Sequence, residues 1–109
     1  MGEYEEVRDQ IRLAEKRKVL FLPHALRQMM RPDSMISRLE VQQVLTQGEV
    51  IEDYPEDQRG HSCLILGFGE GGRALHVCCS PKGEYLAIIT AYVPDKHEWS
   101  ANFRVRAGR

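Results

Sequence analysis

The sequence predicts an α+β domain in which helices from the first half of the chain pack on a mostly antiparallel sheet of four to five strands from the second half. Up to Gly48, apolar residues recur at spacings of three and four, which is the period of an amphipathic helix. Beyond it, short apolar runs alternate with polar turns rich in Gly and Pro. The chain has 109 residues, which is enough for one hydrophobic core, so we expect a single domain over residues 1–109.

The first helix is predicted over roughly residues 3–18. Its apolar side chains stand three and four residues apart, at Tyr4, Val7, Ile11 and Ala14. The following run VLFL, residues 19–22, has the composition of a strand. It ends at Pro23, whose fixed φ and missing N–H suit the first turn of another helix. A short strand is therefore expected to lead into a second helix.

A further helix is predicted from Arg38 to Gln47, with Gly48 ending it. Ser37 and Glu40 have the spacing of a capping box, and Ile36 and Val41 can add a hydrophobic staple. The core side of this helix is expected to carry Leu39, Val41, Val44 and Leu45.

Four strands are predicted after this helix, in the runs VIEDY, HSCLILGF, RALHVCCS and YLAIITAYV. The connections GEGG and SPKGE are typical of hairpin turns. The end of the chain, HEWSANFRVRAGR, is expected to start with a last strand or short turn. Residues 104–109 are expected to form a mobile basic tail.

The charge distribution is uneven although the net charge is only −1. Residues 12–31 carry six basic residues and one acidic residue, whereas residues 49–57 carry five acidic residues and no basic one. No apolar run approaches the roughly 20 residues that span a bilayer, and the acidic start does not resemble a secretory signal. We therefore expect a cytoplasmic protein without a membrane partner. Three cysteines, two of them adjacent, argue against a disulfide-stabilised secreted fold.

The most informative stretch is PHALRQMMR, residues 23–31. A helix drawn through it places His24, Arg27, Gln28 and Arg31 on one side, and on the other Ala25, Leu26, Met29 and Met30. The first side can bind an anion while the second packs. One imidazole followed by two guanidiniums is a combination suited to holding and cleaving a phosphodiester. It is equally the polar side of an ordinary surface helix.

The strands offer a second set of candidates, which depends on their register. A hairpin loop with an even number of residues would place His76 on the more open face of the sheet, opposite the core residues Leu64, Leu66, Phe68, Leu75, Val77 and Cys79. It would also bring together two His-x-Cys pairs as a weak alternative zinc site: His61, Cys63, His76 and Cys78. Thr90 and Tyr92 share a strand face, where their hydroxyls can bind a phosphate or orient a 2′-hydroxyl.

The chain resembles an uncharacterised bacterial family, domain of unknown function 4258. The resemblance covers residues 20–95 and rests on the runs HALRQMM, ISRLEVQQVLTQGEVIEDYP, LILGF, RALHVCCS and IITAYVPD. It implies a RelE-like fold and, by analogy of folds, a metal-independent ribonuclease of the toxin type. The family's His, Thr and Tyr match His24, Thr90 and Tyr92. Gln28 stands where the family has an arginine, whose role would fall to Arg27 or Arg31.

Three hypotheses stay open from the sequence. In the first, the domain is a ribonuclease that needs no cofactor, with His24 as general base or acid, Arg27 and Arg31 holding phosphate, and His76, Thr90 and Tyr92 in support. In the second, it is a non-catalytic module that binds another protein, such as a small antitoxin-like protein, through a sheet edge or through the acidic strip of residues 49–57, as a relic of or partner in a toxin–antitoxin pair. In the third, zinc stabilises the domain.

Overall fold

The computed structural model describes residues 3–107 as three helices and one five-stranded sheet, which confirms the α+β prediction. The connection between the third and fourth strands contains a short 3-10 turn, Glu70–Gly72. The regular elements, in chain order, are α1 Glu5–Arg17, β1 Val19–Phe21, α2 Pro23–Met29, α3 Arg38–Gln47, β2 Glu49–Tyr54, β3 Ser62–Phe68, β4 Ala74–Pro81 and β5 Leu86–Tyr92.

The strands lie in the order β1-β5-β4-β3-β2. The last four are joined as an antiparallel meander, whereas β1 lies parallel to β5 at one edge. This pairing follows from the chain path, since β1 leads into α2 and α2 packs against β5. No helix among residues 3–107 is both long and apolar enough to cross a membrane.

One face of the sheet and the three helices enclose the main core. Its fully buried members include Ile11 from α1, Ala25 from α2, and Val44 from α3. Gly67 lets α3 lie directly on β3, because a Cβ at this position would come within 2.8 Å of the Cγ2 of Val44. The helix–sheet contact is therefore tight enough to require a residue without a side chain.

The capping box of α3 is present as predicted. The amide of Glu40 donates to Ser37 Oγ at 3.0 Å, and the amide of Ser37 donates to Glu40 Oε1 at 3.1 Å. The predicted core side is wrong at Leu39, which is 74% exposed. The buried stripe instead starts at Glu40, one position further along the helix.

Met30 is also on the wrong side in the sequence prediction, because it is 69% exposed. The helix ends at Met29, and Met30 adopts a non-helical backbone conformation with φ −87° and ψ 2°. Its side chain consequently does not continue the apolar side of α2, where Ala25 and Met29 are buried and Leu26 is partly buried.

The register of the β3–β4 hairpin differs from the predicted one. Five residues, 69–73, connect the strands, and Leu66 pairs with His76 while Leu64 pairs with Cys78. Because the loop has an odd number of residues, His76 lies on the same sheet face as Leu64 and Leu66. The prediction that Leu64, Leu66 and Phe68 share a core face with Leu75, Val77 and Cys79 is therefore wrong. His76 is fully buried instead of lying on an open face.

The zinc site required the His61/Cys63 and His76/Cys78 pairs to lie on one surface. Cys63 packs in the helix-side core, whereas Cys78 belongs to the core on the other face. Two ligands on opposite faces of a sheet cannot bind one zinc ion. No group of three or more metal-binding side chains occurs among residues 3–107.

A C-terminal hairpin, residues 98–107, covers the second face of the sheet. Trp99 and Arg106 form an antiparallel bridge, and Trp99 packs with Leu64, Cys78 and Ile89. Arg104 and Arg106 form ion pairs with β2 through Glu49 and Glu52. The predicted mobile tail thus begins with residues that contact the sheet, and its last two positions, 108 and 109, lie outside the described residues.

Candidate functional site

A cleft of about 490 Å³ opens where the end of α2 meets the end of β5. Gln28 and Arg31 line it from the helix side, and Tyr92 lines it from the strand side. The remaining walls come from Asp33, Ser34, Arg73 and residues 93–95. Arg31 and Tyr92, two of the residues singled out from the sequence, therefore border the same cavity. We call it the α2/β5 cleft.

The loop between α2 and α3 forms one wall of this cleft. Two backbone hydrogen bonds close its turn. The amide of Met35 donates to the carbonyl of Arg31 at 2.8 Å, and the amide of Ile36 donates to the carbonyl of Met29, also at 2.8 Å. Met35 has a φ of +46°, a conformation that non-glycine residues adopt uncommonly. The loop is a compact turn folded back on the helix end.

Arg73 fixes this loop to the rest of the domain. Its Nη1 donates to the carbonyl of Ser34 at 2.7 Å, and its Nη2 donates to that of Met35 at 3.1 Å. The same guanidinium donates to both oxygens of Glu40, from Nε at 3.0 Å and from Nη2 at 2.7 Å. One arginine, immediately before β4, thus joins the loop to the first turn of α3.

The carboxylate of Glu40 is buried and fully hydrogen-bonded. Besides Arg73, it accepts from the amides of Ser37 and Glu70, the latter at 2.8 Å. The hydrogen bonds from Arg73 are the main cause that lowers the pKa of the Glu40 carboxyl to about 2, although burial alone would raise that pKa. Glu40 therefore neutralises Arg73, and Arg73 contributes structure to the cleft more than free positive charge.

Arg31 is the more available cation of the cleft. It is exposed, and it pairs with the exposed carboxylate of Asp33 at 3.3 Å. Exposed ion pairs of this kind contribute about 0–1 kcal/mol, so a ligand phosphate can replace Asp33 at little cost.

Tyr92 is held by the buried imidazole of His76. The Tyr92 hydroxyl lies 3.1 Å from His76 Nδ1, and His76 Nε2 lies 2.9 Å from the carbonyl of Phe103. A carbonyl can only accept, so Nε2 carries the proton and, in the neutral ring, Nδ1 accepts from Tyr92. Burial lowers the pKa of His76 and favours this neutral form. The indole of Trp99 packs edge-on against the His76 ring, with 4.4 Å between the two ring centroids.

His76 cannot exchange protons with a ligand in this arrangement, because both ring nitrogens are engaged and the side chain is fully buried. Its contact with Tyr92 makes it a positioning residue. Thr90 is half-buried and lies on the strand face of Tyr92, as alternation predicts, but it does not line the α2/β5 cleft.

The remaining candidates lie along the outer side of α2. His24 and Arg27 are exposed there, and neither lines the α2/β5 cleft. Arg27 forms no ion pair within residues 3–107, and α2 itself contains no acidic residue. The six candidate residues therefore do not share one pocket. The exposed basic side of α2 and Arg31, which borders the cleft, form one surface instead.

Sequence reasoning missed the role of Arg73. The sequence pattern predicts Glu40 only as half of a capping box. An arginine after a glycine-rich turn has no local feature that indicates a partner 33 residues away. Gly69 offered a clue, since a Cβ there would collide with the Glu40 carboxylate and lie 2.7 Å from Leu75 Cδ1.

Comparison with known proteins adds one assignment. Neither a curated protein nor a solved structure was found to match the chain. A family model does match, and it covers residues 21–93, from the end of β1 to just beyond β5. The α2/β5 cleft lies almost wholly within this segment, whereas α1 and the C-terminal hairpin lie outside it. Because the match spans more than half of the sequence, the chain belongs to the family described as Domain of unknown function (DUF4258).

Proposed function

We propose that this domain is a cytoplasmic, metal-independent ribonuclease of the RelE-like type, which binds RNA along the outer side of α2. The observation that carries the proposal is the exposed series of His24, Arg27 and Arg31, in which α2 itself contributes no acidic residue and Arg31, paired with Asp33, borders the α2/β5 cleft. Guanidinium groups favour phosphate oxygens because they offer planar, paired donors. The net charge of −1 means that attraction to RNA would be local to this side of the domain.

In the proposed reaction, His24 accepts the proton of a ribose 2′-hydroxyl as its oxygen attacks the adjacent phosphorus. The bond to the 5′-oxygen breaks, the leaving oxygen takes a proton from water, and the product ends in a 2′,3′-cyclic phosphate. Arg27 and Arg31 hold the non-bridging oxygens and stabilise their charge in the transition state. Tyr92, positioned by His76, is the supporting group that borders the cleft, and Thr90 lies behind it on the same strand face.

The test is incubation of labelled structured RNA with the wild type and with His24→Ala in EDTA. Cleavage by the wild type alone, giving 2′,3′-cyclic ends, is the expected result, with a loss of at least about a hundredfold in the variant. Arg27→Ala and Arg31→Ala are expected to weaken RNA binding. His97→Ala is the matched control because His97 is also exposed but lies before the C-terminal hairpin. Equal cleavage by wild type and His24→Ala contradicts the assignment.

A non-catalytic binding module is the second candidate, and exposed apolar side chains favour it. Met30, Met35 and Val93 are all exposed beside the α2/β5 cleft, whose wall includes Val93. A small antitoxin-like protein with an acidic and apolar helix would complement this surface. The acidic strip is a weaker docking element, because Glu49, Glu52, Asp53 and Asp57 pair internally with Arg104, Arg106, His61 and Arg59.

The module hypothesis predicts a complex with a partner protein and no RNA cleavage. A neighbouring gene for a small acidic helical protein would favour the toxin, and neutral neighbours would favour the module. Met35→Asp is expected to weaken that complex, measured by calorimetry, while Leu13→Asp serves as control because Leu13 is an exposed apolar residue of α1. RNA cleavage by the free domain would favour the ribonuclease instead.

A further inference from the structure

The C-terminal hairpin, residues 98–107, is attached to the sheet by its side chains. Among the described residues, the backbone–backbone hydrogen bonds of the hairpin all lie within residues 95–107, as in the 2.7 Å bond from the amide of Ser100 to the carbonyl of Val105. Its two arms pair with each other and not with a strand of the sheet. The hairpin can therefore leave the sheet as one unit without losing its own backbone hydrogen bonds.

Trp99 is the main anchor of this hairpin. Its indole is 4% exposed and packs in the small core on the second face of the sheet. Arg104 and Arg106 add ion pairs to Glu49 and Glu52 of β2, and both arginine side chains are partly exposed. Ion pairs that water reaches stabilise a fold only weakly. A segment held by one indole and two such pairs opens more readily than the sheet beneath it, because it buries little apolar surface.

His76 lies beneath the hairpin and connects it to the α2/β5 cleft. Its Nε2 donates to the carbonyl of Phe103 at 2.9 Å, and its Nδ1 accepts from the Tyr92 hydroxyl at 3.1 Å. Tyr92 in turn borders the cleft. The hairpin thus occupies the proton-bearing nitrogen of His76, and Tyr92 is the link between that imidazole and the cleft.

A second connection between the hairpin and the cleft runs through the backbone. Residues 93–95 line the cleft and lead from β5 into the hairpin. The carbonyl of Asp95 accepts from the amides of Glu98 at 2.9 Å and Trp99 at 3.1 Å, which fixes the start of the hairpin to Asp95. A ligand that displaces residues 93–95 therefore also displaces the base of the hairpin.

We propose that the C-terminal hairpin is an autoinhibitory cover over His76, which lifts as one unit about residues 93–95. When closed, it occupies the imidazole and separates the second face of the sheet from a ligand in the α2/β5 cleft. When open, it leaves Nε2 of His76 free to donate a hydrogen bond to a phosphate of RNA bound beside Tyr92. The opening is a property of the fold alone, whereas its effect on RNA rests on the proposed ribonuclease function.

The three cysteines distinguish opening of the cover from unfolding of the domain. Cys78 packs with Trp99 beneath the hairpin, whereas Cys63 and Cys79 lie in the helix-side core. Opening of the cover exposes Cys78 alone, and global unfolding exposes all three thiols. Alkylation by iodoacetamide, located by mass spectrometry, measures each rate. The fluorescence of Trp99, the only tryptophan of the chain, gives a second measurement through its quenching by acrylamide.

The double variant Arg104→Gln/Arg106→Gln removes both ion pairs of the cover. Arg12→Gln is the matched control, because it breaks an exposed ion pair of α1. We expect alkylation of Cys78 about three- to tenfold faster in the double variant than in the wild type, with stronger quenching of Trp99, since two weak ion pairs are lost. Unchanged Cys78 alkylation, or equal acceleration at all three cysteines, overturns the proposal. If the double variant fails to fold, Arg104→Gln alone is held to the same pattern.

The effect on RNA is measured with the same proteins, by cleavage of labelled RNA and by anisotropy with a 2′-deoxy analogue that cannot be cleaved. We expect the double variant to bind and cleave about three- to tenfold better than the wild type, the contribution of one added hydrogen bond, and Arg12→Gln to match the wild type. Faster Cys78 alkylation without a change in binding or cleavage overturns autoinhibition and leaves the ribonuclease standing. If no form binds or cleaves RNA, the ribonuclease and the autoinhibition both fail, while Cys78 alkylation still decides whether the hairpin opens.

Discussion

The guanidinium of Arg73 binds the buried carboxylate of Glu40 through hydrogen bonds of 3.0 and 2.7 Å across 33 residues of sequence. This contact joins the residue before β4 to the start of α3. Through the carbonyls of Ser34 and Met35, Arg73 also holds the loop that forms one wall of the α2/β5 cleft. The stability of the domain and the shape of its candidate site therefore depend on the same pair.

Glu40→Gln is expected to destabilise the domain by about 3 kcal/mol, the lower end of the range for breaking a buried ion pair from one side. Glutamine keeps the volume but leaves Arg73 without a charged partner. Urea unfolding at pH 7 measures the loss. Asp9→Asn is the matched control, because Asp9 forms an exposed ion pair with Arg12 whose removal should cost less than about 1 kcal/mol. Equal losses in the two variants would show that the Glu40 contact is energetically ordinary.

The Glu40 contact also predicts how stability depends on acid. The pKa of Glu40 is about 2 in the folded protein and 4.5 by its ordinary value. The unfolded chain therefore binds a proton first as the pH falls. The contribution of the carboxylate is fully present above pH 4.5 and is lost as the pH falls toward 2, at up to about 1.4 kcal/mol per pH unit.

Unfolding free energies at pH 5, 4 and 3 check this expectation. The difference between the wild type and Glu40→Gln is expected to shrink steadily across that range, since the wild type loses what the variant already lacks. A constant difference would mean that the carboxylate is not held in its charged form by Arg73.

Gly69→Ala is expected to destabilise the domain although the substitution adds only one methyl group. That methyl would collide with the Glu40 carboxylate and lie 2.7 Å from Leu75 Cδ1, both of which are packed in place. We expect a loss of about 1–3 kcal/mol, the usual cost of overpacking, measured by thermal unfolding. Gly71→Ala is the comparison, because its new methyl meets open space and only the strain of its φ of +65° remains. A larger loss at Gly71 than at Gly69 contradicts this account.

Local patterns in the sequence were sufficient to predict the helices, the strands and the capping box of α3. The spacing of apolar residues and the Ser37/Glu40 pair act over a few residues, and the structure confirms both. The parallel position of β1 beside β5 had no local signal, because it depends on how α2 returns the chain to the sheet.

The candidate site was harder to predict, because it depends on strand register. Adding one residue to the loop of residues 69–73 would move every side chain of β4 to the opposite face of the sheet, relative to the side chains of β3. The actual five-residue loop buries His76 under Trp99 and the C-terminal hairpin, which no pattern in β4 indicates. The exposed positions of His24 and Arg27, by contrast, followed directly from the helical period.

Tyr92→Phe tests the positioning role of His76. Losing the hydroxyl leaves His76 Nδ1 buried without a donor, so we expect a loss of stability of about 1–3 kcal/mol by urea unfolding.

The burial of His76 makes the stability of the domain depend on pH. Burial lowers its pKa in the folded state below the ordinary 6.5, so its contribution is present above pH 6.5 and is lost as the pH falls below that value. His76→Gln removes the titration while keeping a polar side chain. Relative to His76→Gln, the wild type should lose stability from pH 6.5 toward 5. An unchanging difference between them would mean that His76 titrates alike in both states, against its burial beneath Trp99.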